Sequence, residues 1–303
     1  MDFKRRVCSS SASLLCESYP DALRWSEQIH HSQGDCLIPG YMSSLSEEPY
    51  TNLTQNSLSD LAVLWGQFSI SEKKKFRETY GDIASLISVP IEEPLLRAAM
   101  RFWDPSYQCF TFGKNDLVPN IEEYSMLIGL ELQHPDKVHN QKSRAGWRKA
   151  LAQILKIPHQ TIDTYMVQKG NRQGLPWNVL QSFIQEHLHD GHGTVAFALA
   201  IYGLIIFPRG QGYIETAVVE VFQQIQHGSN PSLAILAETF RSLNYCRRNK
   251  DECFLGCIPL LYIWIRSHIK CEGITFTKPY LPGASPIFEF CKNVWSSSKS
   301  KEW

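Results

Sequence analysis

Apolar residues recur at helical spacing through most of this chain, and strand-helix-strand alternation is missing. From Pro20 the stretch DALRWSEQIHH sets Leu23, Trp25 and Ile29 among polar residues, which predicts a first amphipathic helix. Residues 34–56 gather Gly34, Pro39, Gly40 and Pro49 with Ser and Asn, the composition of a connector. Ser57 is the expected cap of a helix carrying Leu58, Leu61, Leu64, Trp65 and Phe68. Ser71 is the expected cap of the next, which Gly81 ends, and a helix after Pro90 stops before Asp104-Pro105. Further helices are expected at about 158–168, 176–189, 193–207, 213–227, 231–246 and 254–269, each bounded by Gly, Pro or Asn.

One segment breaks the helical rhythm. In CFTFGKNDLVPNIEEYSMLIGL, aromatic and Thr residues run from Tyr107 to Phe112, then Gly113-Lys114-Asn115-Asp116 supplies turn chemistry. A small hairpin follows, with Leu117-Val118 as its return arm. Asn120 is the expected N-cap of the helix beyond it, Glu123 completes a capping box, and Gly129 is the expected stop. The reading is therefore mainly α, a multi-helix globular domain with one small β-hairpin. Its expected divisions are 1–56 for the N-terminal helix and connector, 57–290 for the helical domain, and 291–303 for a polar tail.

The 303 residues balance 30 Lys and Arg against 30 Asp and Glu, so no global charge excess argues for nucleic acid or an anionic membrane. Nine cysteines, an odd number without a Cys-x-x-Cys pair, suit reduced thiols in the nucleus or cytoplasm better than a disulfide framework. The most apolar run, 194–207, is shorter than the ~20 residues of a bilayer crossing and predicts a buried helix. No membrane partner is expected.

Candidate chemistry is sparse. His187, His189, Asp190 and His192 form the densest metal-like group, but two histidines two apart on a helix point to different sides. Cys253 and Cys257 lack a second close pair and read as buried small hydrophobes. Phosphate-cradle, dinucleotide, nucleophile-elbow and zinc-protease motifs are not found, and scattered acids define no locatable catalytic group. No catalytic residue, cofactor or metal ligand is assigned. The basic segment 137–156 holds the candidates for nucleic-acid contact: Lys142, Arg144, Arg148 and Lys149 for phosphate, Trp147 for stacking on a base. The competing reading of the same residues is a solvated loop with Trp147 tucked into the core.

Several blocks also carry a family resemblance. FTFGKNDLVPNIEEYSMLIGL is similar to the plant mobile domain signature, and GCIPLLYIWIRSHI resembles that family's later helix through Gly256, Cys257, Leu260, Leu261, Trp264 and His268. KGNRQGLPWNVL and AFALAIYGLIIFP resemble an uncharacterised, retrotransposon-associated plant branch of the group, some of whose members are labelled aminotransferase-like. The matching blocks run in order over about 58 to 270. The resemblance implies a transposon-derived protein related to the maintenance-of-meristems group. It would be non-enzymatic and act through unknown protein partners in nuclear silencing or genome maintenance. Pyridoxal chemistry is not expected, because a Schiff-base lysine, a pyridinium partner and a phosphate cup cannot be placed. Longer relatives continue past the position of Trp303, so a partial gene copy is one reading.

Overall fold

The computed structural model describes residues 56, 58–100, 102–112, 115–132, 146–249 and 254–268. The helix expected after Pro20, the connector apart from Asn56, and the 291–303 tail lie outside the described residues, as do Ser57, Lys142, Arg144 and Cys253. The described chain is mainly helical with two small antiparallel sheets, so the β content exceeds the single expected hairpin.

Two α-helices open the described fold, α1 (Ser59–Gln67) and α2 (Ile70–Tyr80), followed by a 3-10 turn over Ile83–Ser88 and α3 (Glu93–Met100). Strands β1 (Trp103–Asp104), β2 (Cys109–Phe112) and β3 (Asn115–Leu117) make the first sheet, and α4 (Ile121–Leu127) follows it. After α5 (Gly146–Leu155) come a 3-10 turn at His159–Thr161 and the single turn α6 (Ile162–Tyr165). Strands β4 (Val167–Lys169) and β5 (Arg172–Pro176) then lead into α7 (Trp177–Glu186). Next, α8 (His192–Ile201) widens into a π-helical turn at Tyr202–Ile206, and β6 (Tyr213–Glu215) joins β5 to complete the second sheet. Helices α9 (Thr216–Gln226), α10 (Ser232–Arg248) and α11 (Ile258–His268) close the described order.

Several boundaries differ from expectation for local reasons. The cap of α2 is Ser69, not Ser71: Glu72 must sit three residues beyond the cap for both bonds of a capping box, and both form. Leu58 holds the N-cap position of α1 without a side-chain bond. The helix expected over 158–168 breaks after Tyr165, because Val167–Lys169 pairs with Arg172–Gly174 around Gly170, whose φ is +59°. Likewise Tyr213–Glu215 is drawn off the start of α9 into the sheet.

By contacts the chain divides into two units. In the smaller, residues 94–118 associate with 243–253. Trp103 stands opposite Phe110 in the β1–β2 pairing, its ring edge-on to that phenyl at 4.9 Å. Its indole N–H donates to Asn244 Oδ1 at 2.8 Å, and Arg247 Nε donates to its carbonyl at 2.9 Å.

The larger unit comprises 53–93, 119–242 and 254–303. Its centre is α8, apolar on all sides and buried from Ala196 to Ile201, as the 194–207 run predicts. The Phe197 ring stacks on Trp65 at 5.5 Å and meets Phe68 and Phe76 edge-on. Helix α11 is buried from Ile258 to Ile265, including Leu261 and Trp264. Among the described residues no helix is long and apolar enough to cross a membrane. Gly81 stops α2 with φ +68° where a Cβ would come within 2.1 Å of the Ile128 carbonyl oxygen, so only glycine fits that close approach to the end of α4.

Candidate functional site

The capping box at α4 forms as its sequence dictates: Asn120 Oδ1 accepts from the Glu123 amide at 2.8 Å, and the Asn120 amide donates to Glu123 Oε2 at 3.2 Å. What the local pattern does not reveal is the reach of the same carboxylate to α11. Trp264 Nε1 donates to Glu123 Oε2 at 2.8 Å, and His268 Nε2 lies 3.2 Å from Oε1. His268 Nδ1 lies 2.8 Å from the Trp264 carbonyl oxygen. Each ring nitrogen thus has an acceptor within reach, an arrangement that favours the doubly protonated ring.

The electrostatics agree with that assignment. Burial alone would lower the His268 pKa, but the Glu123 carboxylate and the Trp264 carbonyl outweigh it and hold the value above its ordinary range. Burial pushes Glu123 upward, yet donation from His268, Trp264 and Asn120 prevails and its pKa lies below the usual carboxylate value. Ser267 Oγ, 2.9 Å from His268 Nδ1, donates its own proton to the Trp264 carbonyl at 2.7 Å. A doubly protonated ring offers no lone pair to take a proton from serine, so the Ser-His-Glu grouping is not poised as a nucleophile.

A second buried carboxylate belongs to Glu238 on α10. It accepts from Arg209 Nη2 at 2.9 Å and from Arg241 Nε at 2.8 Å and Nη2 at 2.5 Å. One acid there serves two guanidinium groups. Glu123 was missed as a centre because its partners lie far away in sequence: 141 and 145 positions separate it from Trp264 and His268.

The residues singled out from sequence are dispersed. Asp190 Oδ2 pairs with His187 Nδ1 at 2.5 Å, and that hydrogen bond holds its carboxyl down at about 2. His189 turns instead to Glu72 at 3.3 Å. Among the described residues no group of three or more His, Cys, Asp or Glu side chains is arranged to hold a metal ion. Cys257 is fully buried, and burial pushes its thiol up to about 12. Of the basic segment, Arg148 lies over the Trp147 ring at 4.3 Å and pairs with Asp163 at 3.0 Å, so its charge is already met. Trp147 is half-buried and Lys149 exposed on the first turn of α5, which contains no acid. A crevice between the π turn and the start of α11, lined by Leu58, Leu204, Ile205 and Ile258 with Asn56 at its edge, has room for about one water.

A family model described as "Domain of unknown function (DUF7745)" matches residues 61–292, well over half of the chain. No curated protein and no solved structure is significantly similar. The family match overturns the plant mobile domain resemblance, together with the transposon-derived and retrotransposon-associated character that it implied. The physical reason is in the residues that carried it. Asn120, Glu123, Gly129, Leu261 and Trp264 cap, stop or fill helices, roles that recur in helical folds of different descent.

Proposed function

Since the chain belongs to the DUF7745 family, whose description carries no activity, we propose that it is a non-enzymatic protein-interaction module acting in the nucleus or cytoplasm. The observation that supports this most is the engagement of His268. The best-placed acid-base group in the larger unit has both nitrogens committed to acceptors within the fold, so it holds helices together instead of moving protons. Cys257 is a free thiol, which suits a reducing compartment.

The test is capture of partners by the immobilised full chain from nuclear and cytosolic extracts, with and without nuclease. Proteins retained equally in both arms are the expected result. Retention of nothing overturns the reading. Loss of every bound protein on nuclease treatment favours the second reading, a nucleic-acid-binding protein using the 137–156 segment, which the exposed Lys149 on an acid-free helix start supports.

A further inference from the structure

The β4–β5 hairpin brings Lys169 directly opposite Arg172. Like charges in facing cross-strand positions repel and destabilise a hairpin unless an anion lies near both. What the two side chains meet inside the fold is neutral. Lys169 Nζ donates to the Gln211 carbonyl at 3.4 Å, and Arg172 Nη1 donates to the Arg209 carbonyl at 2.9 Å. A carbonyl satisfies a donor without cancelling its charge. Lys169 also sits 4.8 Å from the centroid of the Tyr213 ring, and that ring crosses the strand where residue 174 is glycine. A Cβ there would come within 2.2 Å of it.

Arg209, whose carbonyl receives Arg172, places its own guanidinium on Glu238, which Arg241 already holds. Glu215, on β6, stands opposite Gly174 in the same sheet. A chain with equal numbers of acidic and basic residues thus sets two cations face to face in one hairpin.

We propose that Lys169 and Arg172, with Arg209 beside them, form a docking surface for an acidic peptide segment of a protein partner. The inference rests on the reading of the chain as a protein-interaction module and names its partner by chemistry. Carboxylates are the favoured anions because the surface already binds one: Glu238 is gripped through the Nε and Nη2 of one arginine and the Nη2 of another. Arg172 presents the same donor set with one N–H bonded to a carbonyl. Among the described residues the outer edge of β4 is unpaired, which gives an extended peptide backbone groups to meet while its acids face the cations.

The experiment is fluorescence anisotropy with the full chain and three labelled probes: an oligoglutamate, an oligolysine and an oligothymidylate. Oligoglutamate should bind at low salt, lose affinity as salt rises, and bind about tenfold more weakly to the Lys169→Gln/Arg172→Gln double variant. The variant's melting temperature should stay level or rise, since a like-charge pair is removed. No binding of oligoglutamate, equal binding by the variant, or a melting temperature that collapses in the variant overturns the proposal. Tighter binding of oligothymidylate than of oligoglutamate also overturns it and assigns the surface to nucleic acid. Nuclease-resistant partners that the double variant still captures would sink this surface while leaving the interaction reading intact.

Discussion

Glu123 and Glu238 are both largely buried, and both tie parts of the larger unit together, but their charges are balanced in different ways. Glu123 meets one cation and two neutral donors, so the group closes on itself: carboxylate, imidazolium, indole and a capped helix end. Glu238 meets two guanidinium groups, and one of them belongs to Arg209, whose backbone carbonyl receives Arg172 of the hairpin. A closed group fixes helix positions and offers little to a partner. An open one stabilises the fold and also leaves a field that an incoming anion can use.

The largest break in the closed group should come from Trp264→Ala, which removes a buried indole and one of the donors to Glu123. A loss of about 3–5 kcal/mol in chemical denaturation is expected. Next is Glu238→Gln, which leaves two arginines without their counter-charge, with an expected cost of roughly 1.5–3 kcal/mol. The same change should tighten oligoglutamate binding, because Arg209 beside Arg172 is released, so stability and affinity should move in opposite directions. A variant that loses both would show that the two properties are not separable at this carboxylate.

His268→Gln sharpens the contrast through pH. A histidine whose folded pKa is raised above its ordinary 6.5 contributes stability below that value and loses it as pH rises through the folded pKa. Glu123, lowered from 4.5, contributes above that value and loses it as pH falls through its own folded pKa. The gap between wild type and variant should be widest between pH 4.5 and 6.5 and close on the alkaline side, with a size of about 1 kcal/mol. Melting temperatures across that range would check it, and a gap that widens above neutrality would contradict the imidazolium assignment. The smallest effect belongs to Arg148→Ala. It breaks a half-exposed pair with Asp163 and should cost roughly 0.5 kcal/mol or less by the same denaturation measurement.

The two sheets show why part of the fold was legible and part was not. The first has aromatic strand residues around a Phe-Gly turn, and a hairpin follows from that local pattern, although Trp103–Asp104 adds a third strand taken for the end of a helix. The second begins with Val-Gln-Lys and Arg-Gln-Gly, in which Val167 alone has marked strand propensity. Its last strand arrives after two helices and a π turn, and pairing across that distance leaves no mark in a short window. The same holds for the sites. The Asn120–Glu123 cap is visible because its members lie three residues apart, and buried Trp264 because its helix is apolar throughout. The bonds from Trp264 and His268 to Glu123 depend on how α4 and α11 pack, which periodicity does not encode.

Asn56 ties the chain ahead of α1 to the larger unit. Its side-chain amide donates to the Leu204 carbonyl in the π turn at 2.9 Å, and its oxygen accepts from the Gly212 amide at 2.9 Å. A single side chain thus stitches the wide turn to the approach of β6, from a position upstream of the family match that starts at residue 61. A fragment of this chain cut at residue 61 would strand a backbone oxygen and a backbone amide together, so its expression gains by starting several residues earlier.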